Sequence, residues 1–210
     1  MREWAPLGVD RLYRLLQDRY FDANAFFRVL RNDTAGTAFV AQWCVPFRPL
    51  QVYCCCHPLL RPLSCEKSRE IMSTHRYTAV AICRGVSGLP SANEAWASQQ
   101  IANEDYGGTG VTPLSNTRGT ISFAKEYLDD ESTCCRTTEL YVNYGNNSRL
   151  DAHGFRPVAY VVDGMARLDA LAVTGEAVDW DTYLAQGNAY IEANFPWMDR
   201  ITSTGMWRQR

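Results

Sequence analysis

Two short segments constrain this chain most. Phe26-Phe27-Arg28-Val29-Leu30 is followed nine residues later by Phe39-Val40-Ala41-Gln42-Trp43. Each reads as a brief apolar strand with one polar side chain set among hydrophobic ones, Arg28 on the first and Gln42 on the second. Successive strand residues point to opposite faces, so each polar group shares a face only with alternate neighbours. A guanidinium or an amide on a greasy sheet costs free energy unless it finds a partner, and a ligand's amide is one candidate. The turn-rich Asn32-Asp33-Thr34-Ala35-Gly36 between the segments predicts a hairpin.

Further elements follow along the chain. Leu12, Tyr13, Leu15 and Leu16 fall at helical spacing over 9–20, with Pro6 and Asp10 suited to the helix start. Residues 119–124, 139–144 and 158–162 read as strands. Residues 163–171 and 187–195 read as short helices, and a last strand is expected near Ile201. The stretch 85–118 reads mostly as loop, with a capping box at Ser91 and Glu94. Tyr106-Gly107-Gly108-Thr109-Gly110 lacks the strand and helix a phosphate loop needs. The whole reads as mainly β.

The strand segments also carry a family pattern. Phe26-Phe27-Arg28-Val29-Leu30 and Phe39-Val40-Ala41-Gln42-Trp43 resemble the F-H-R-V-I and F-M-I-Q-G motifs of the cyclophilins, the peptidyl-prolyl cis-trans isomerases. Gly119-Thr120-Ile121-Ser122-Phe123-Ala124 resembles their G-T-L-S-M-A, and Glu139-Leu140-Tyr141-Val142-Asn143 their Q-F-F-I-T. Leu150-Asp151 and Val158-Ala159-Tyr160-Val161-Val162-Asp163-Gly164-Met165 then fall in family order. The resemblance implies a closed antiparallel β-barrel with two or three capping helices. It also implies isomerisation of X-Pro bonds without cofactor or metal. Arg28 takes the catalytic arginine role. Phe39, Val40, Ala124, Tyr141, Leu150 and Phe155 line the substrate site, and Gln42 bonds the substrate backbone. Tyr141 stands for a phenylalanine, and Phe155 falls near the family's pocket histidine.

Some positions depart from the pattern. Lys125 stands where the family's asparagine holds the peptide, which implies a weaker grip. Glu139 stands for a glutamine and is placed to pair with Arg28. Arg149 replaces a tryptophan that contributes to cyclosporin binding, so low sensitivity to that drug is expected. The family places two strands ahead of the point where the likeness begins, at Arg2-Glu3-Trp4-Ala5-Pro6, so an incomplete N-terminus is expected.

The likeness also lapses over about 50–84, a Cys-rich interruption of a single 1–210 domain. The segment holds Cys54-Cys55-Cys56-His57, Cys65 and Cys83 and has no clean period. A zinc site would need paired cysteine spacings, which are missing. A surface insertion and translated non-coding sequence are the other readings, and the last suits the abrupt edges best.

Composition narrows the partners. A net charge of -2 gives no basic footprint for nucleic acid. No apolar run approaches the roughly 20 residues of a membrane helix. The eight cysteines cluster instead of spreading as a disulfide framework does. Free thiols and a reducing compartment, the cytoplasm for this chain, are the expectation. Proline-containing peptides or proteins are the expected partners of a monomer. A non-catalytic peptide-binding module and an imperfect gene product that does not fold are the alternatives.

Overall fold

The structure, a computed structural model, describes residues 3–32, 38–43, 96, 99–104, 112–127, 133–134, 136–175 and 177–206. The 50–84 interruption, the Ser91/Glu94 capping box, the 106–110 glycine segment and the hairpin turn after Asn32 lie outside them.

Helix α1, Pro6–Gln17, opens the described chain. Its N-terminal residue Ala5 offers no side-chain cap. The carboxylate of Glu104 caps it instead, accepting from the amides of Leu7 (3.3 Å) and Gly8 (2.8 Å). Glu104 also forms a buried ion pair with Arg136 at 3.2 Å. A Cβ on Gly8 would lie 2.5 Å from Cγ1 of Val158, so glycine here lets the helix approach the sheet closely. Gly8, Arg11 and Leu15 form its buried face. Arg11 donates to the Thr137 carbonyl and lies over the Trp96 ring. Burial, with Arg14 and Arg136 nearby, pushes its guanidinium down to about 10.

Seven strands follow among the described residues. They are β1 Arg28–Asn32, β2 Ala38–Trp43, β3 Thr120–Phe123, β4 Glu126–Tyr127, β5 Thr133–Cys134, β6 Leu140–Asn143 and β7 Pro157–Tyr160. Five make an antiparallel sheet in the order β1-β2-β6-β3-β7, while β4 and β5 pair separately as a hairpin. Helices α2 Met165–Asp169, α3 Trp180–Gln186 and α4 Asn188–Asn194, with a 3-10 helix at Ser148–His153, complete the described elements. The mainly β class stands. Among the described pairings the sheet is open, with β1 and β7 at its ends, so the expected barrel closure is not among them. The strand expected near Ile201 is a single bridge, Arg200 to Ala25, flanked by backbone bonds between 23–26 and 199–201.

Strand register sorts the two faces. Val29, Ala41, Val142, Ile121 and Ala159 align across the five strands. Around that row gather Leu15, Tyr20, Phe21, Trp43, Phe123 and Leu140, the main core under α1. A second cluster joins Ala25 and Phe27 to Tyr183 and Ile191 of the C-terminal helices. The outer edge of β1 is blocked: the Thr174 hydroxyl accepts from the Val29 amide and donates to the Phe27 carbonyl.

Candidate functional site

One residue out of step with the dry row runs a different one: Arg28, Gln42, Tyr141 and Ser122 are aligned across four strands, and a register shift between β3 and β7 sets Pro157 opposite Ser122. The antiparallel pairing places Arg28 opposite Gln42, and Gln42 opposite Tyr141. Nη1 of Arg28 donates to Oε1 of Gln42 at 2.5 Å, and Nε2 of Gln42 donates to Oε1 of Glu139 at 2.7 Å. Glu139 therefore reaches Arg28 through the amide of Gln42, where the sequence pointed to a direct pair. Burial pushes the Glu139 carboxyl up to about 8, with the nearby Arg28 charge opposing that shift. A largely protonated carboxyl at neutral pH still accepts from Gln42 through its carbonyl oxygen.

Beside this relay lies an apolar cluster of Val40, Ala124, Tyr141, Leu150 and Phe155, with the half-buried Phe39 packed against it. The rings of Tyr141 and Phe155 meet edge to face at 6.1 Å. These six side chains come from three strands or strand ends, the 3-10 helix and the loop after it. All six are residues that the family resemblance assigns to the substrate site, and the fold brings them together. Arg28 stands at the rim, its Cζ 5.9 Å from the Phe39 ring centroid. Gln42 spends its amide on Arg28 and Glu139 inside the protein.

Lys125 points inward. It is buried, its Nζ donating to the His153 carbonyl at 3.0 Å and to Oδ1 of Asn103 at 3.1 Å, and it lies over the Phe155 ring. Gly154, at φ +72°, closes the 3-10 helix, and a Cβ there would sit 3.1 Å from that ammonium. Lys125 thus ties the Phe155 loop to the sheet.

Sequence reading missed the residue that organises the floor of the cluster. Asn116 is fully buried. Its Oδ1 accepts from Ser122, Tyr141 and Asn143. Its Nδ2 donates to Asp151 and to the Phe155 carbonyl. Asn147 extends the network, donating to Asn143 and to the Phe39 carbonyl. In sequence Asn116 sits in an unremarkable loop, and only strand register reveals what it faces.

Among the described residues no group of His, Cys, Asp or Glu is placed to hold a metal ion, and no helix is long and apolar enough to cross a membrane. No family model matches the sequence, and no curated protein matches it. Among solved structures the chain is similar to a cyclophilin from Hirschia baltica, with a TM-score of 0.41 and 12% identity, covering 84% of this chain and 62% of that one. The chain thus spans less than two thirds of that structure's length.

Proposed function

We propose that this chain is a cyclophilin-like peptidyl-prolyl isomerase that binds proline-containing peptides at the Phe39–Phe155 cluster and turns over X-Pro bonds with Arg28. The observation that carries the reading is the convergence of Phe39, Val40, Ala124, Tyr141, Leu150 and Phe155 in one cluster, with the Arg28 guanidinium at its rim.

The chemistry asks little of the protein. Amide resonance sets a barrier of about 18–20 kcal/mol to rotation. A hydrogen bond donated to the prolyl nitrogen favours its pyramidal form and weakens the partial double bond as it twists. The Gln42–Glu139 relay fixes Arg28 for that task. An apolar site holds the ring while the preceding carbonyl swings round, and catalysis lies in binding the twisted state better than the planar one. No proton transfer, covalent intermediate or cofactor takes part.

A prolyl isomerisation assay on a short X-Pro peptide tests this, with Arg28→Ala as the decisive variant. The expected result is a loss of about a hundredfold in kcat/KM, the scale of removing one transition-state donor, with peptide binding largely kept. An unchanged rate would take Arg28 out of the mechanism. Peptide binding without turnover in the unaltered chain would favour the second reading, a non-catalytic peptide-binding module. That reading draws on Gln42 being committed to internal partners and Lys125 being turned inward.

A further inference from the structure

Asp163-Gly164 is the one Asp-Gly pair in the chain, which has no Asn-Gly pair. It lies between β7 and α2, with Asp163 exposed. Oδ1 of Asp163 accepts from the amide of the very next residue, Gly164, at 2.7 Å. Because Oδ1 is bonded to Cγ, the Gly164 nitrogen stands within reach of that carbon, as reacting atoms do when held near attack. Other carboxylates are drawn elsewhere: Asp151 accepts from Asn116, Asp169 from Arg118, Asp179 from Thr182 and Asp199 from Ala172. Nothing crowds the pair. Gly164 has φ +88°, and a Cβ there would meet no atom within 4 Å, so a ring closing on its nitrogen has room and water has access. With no side chain, Gly164 sets no branch beside that nitrogen. The same residue starts α2, its carbonyl accepting from the Arg167 and Leu168 amides. α2 is five residues long and has no side-chain cap at its start, so local opening there costs little.

We propose that Asp163-Gly164 is a site of spontaneous isoaspartate formation, and that the change loosens α2. The Gly164 nitrogen attacks Cγ of the Asp163 carboxyl in its neutral form. The N–Cγ bond forms, the Cγ–OH bond breaks, and the hydroxyl leaves as water with the amide proton, closing a succinimide ring. Water then adds at the main-chain carbonyl carbon of Asp163 and breaks its bond to nitrogen. The backbone now runs through Cγ, one methylene longer, and the former main-chain carbonyl is a free carboxylate. Water is the only co-reactant. The inserted atom falls between two fixed points. On one side the Val161 amide donates to the Gly119 carbonyl. On the other the Leu168 carbonyl accepts from the Tyr144 hydroxyl, and Asp169 pairs with Arg118. A longer link between those anchors disturbs the first turn of α2, whose Met165 and Leu168 pack on the main core.

The test incubates the folded chain for weeks in water enriched in heavy oxygen, then maps its peptides by mass spectrometry. Each passage through the ring leaves one heavy oxygen at Asp163, and backbone fragmentation separates isoaspartate from aspartate. The expected result is label entering at Asp163 about tenfold faster than at Asp179, whose carboxylate is tied to Thr182. Asp163→Glu should take up none there, since its longer side chain cannot close the five-membered ring, and Asp163→Asn should react faster with release of ammonia. A short peptide covering residues 160–167 is the reference for the unfolded rate, and the folded chain should react at least as fast. Amide hydrogen exchange over residues 165–171 should rise in the isomerised fraction. Label spread evenly over the aspartates, or a folded chain about tenfold slower than the peptide, overturns the assignment of the site. Unchanged exchange in the isomerised fraction overturns the coupling to α2.

Discussion

The two faces of the five-stranded sheet are built on opposite terms. On one, Val29, Ala41, Val142 and Ile121 form a dry row under α1. On the other, Arg28, Gln42, Tyr141 and Ser122 form a hydrogen-bonded row beside the candidate site. A dry face is held by volume, and losing a methyl group costs a cavity. A polar face is held by geometry, and losing one hub leaves several buried partners without a bond. The lesson is that the more breakable face is the one carrying the candidate chemistry.

Asn116→Ala should break the polar face hardest. It strips one acceptor each from Ser122, Tyr141 and Asn143, of which Asn143 keeps Thr120, and a loss of about 4 kcal/mol in chemical denaturation is expected at 1–3 kcal/mol per buried group that loses a bond. The loop carrying Phe155 should loosen with it, since Asn116 holds that residue's carbonyl. A loss under about 1 kcal/mol would show that the hub is dispensable.

Glu139 gives that face a pH dependence. Its carboxyl is raised from 4.5 to about 8 in the fold, so the folded chain keeps a proton that the unfolded chain has released over that interval. Stability is then fully present below about pH 4.5 and is lost as pH rises through 8, a fall of about 4 kcal/mol between pH 5 and pH 9. Urea midpoints at pH 5, 7 and 9 should decline for the unaltered chain and level out for Glu139→Gln. A flat profile in the unaltered chain would mean the Arg28 charge keeps Glu139 ionised throughout.

The dry face should respond more gently and without pH dependence. Val142→Ala is expected to cost about 2 kcal/mol, read from the same denaturation curves. Gly8→Ala sharpens the comparison at the smallest scale. Its new methyl group meets Val158 at 2.5 Å, and α1 must shift at a cost of about 1–2 kcal/mol. Neither change should alter which peptides bind.

Strands were legible in the sequence where a period of two and a family pattern coincided. The segments expected at 38–43, 119–124, 139–144 and 158–162 appear at Ala38–Trp43, Thr120–Phe123, Leu140–Asn143 and Pro157–Tyr160. The first strand begins two residues later than its apolar run, at Arg28, because Ala25 and Phe27 are taken up by the C-terminal helices. The membership of the apolar cluster was legible through resemblance, since each member falls in a quoted block or close beside one. Long-range polar partnerships were not. That Glu104 caps α1, that Asn116 serves three strand residues and that Lys125 turns inward all depend on which segments meet across the fold. Local sequence carries no record of that. The β4–β5 hairpin was missed for a simpler reason: each strand is two residues long, too short to express a period.

The cap on α1 has a consequence for how the chain comes off the ribosome. The carboxylate that satisfies the first helical turn lies 96 residues downstream of Gly8, and the strand the helix docks on, through Val158, is made later still. A helix of 12 residues is marginal alone in water. This helix, made before the strands it packs on, is therefore among the last elements to settle, and it exposes its apolar stripe until most of the sheet exists to receive it.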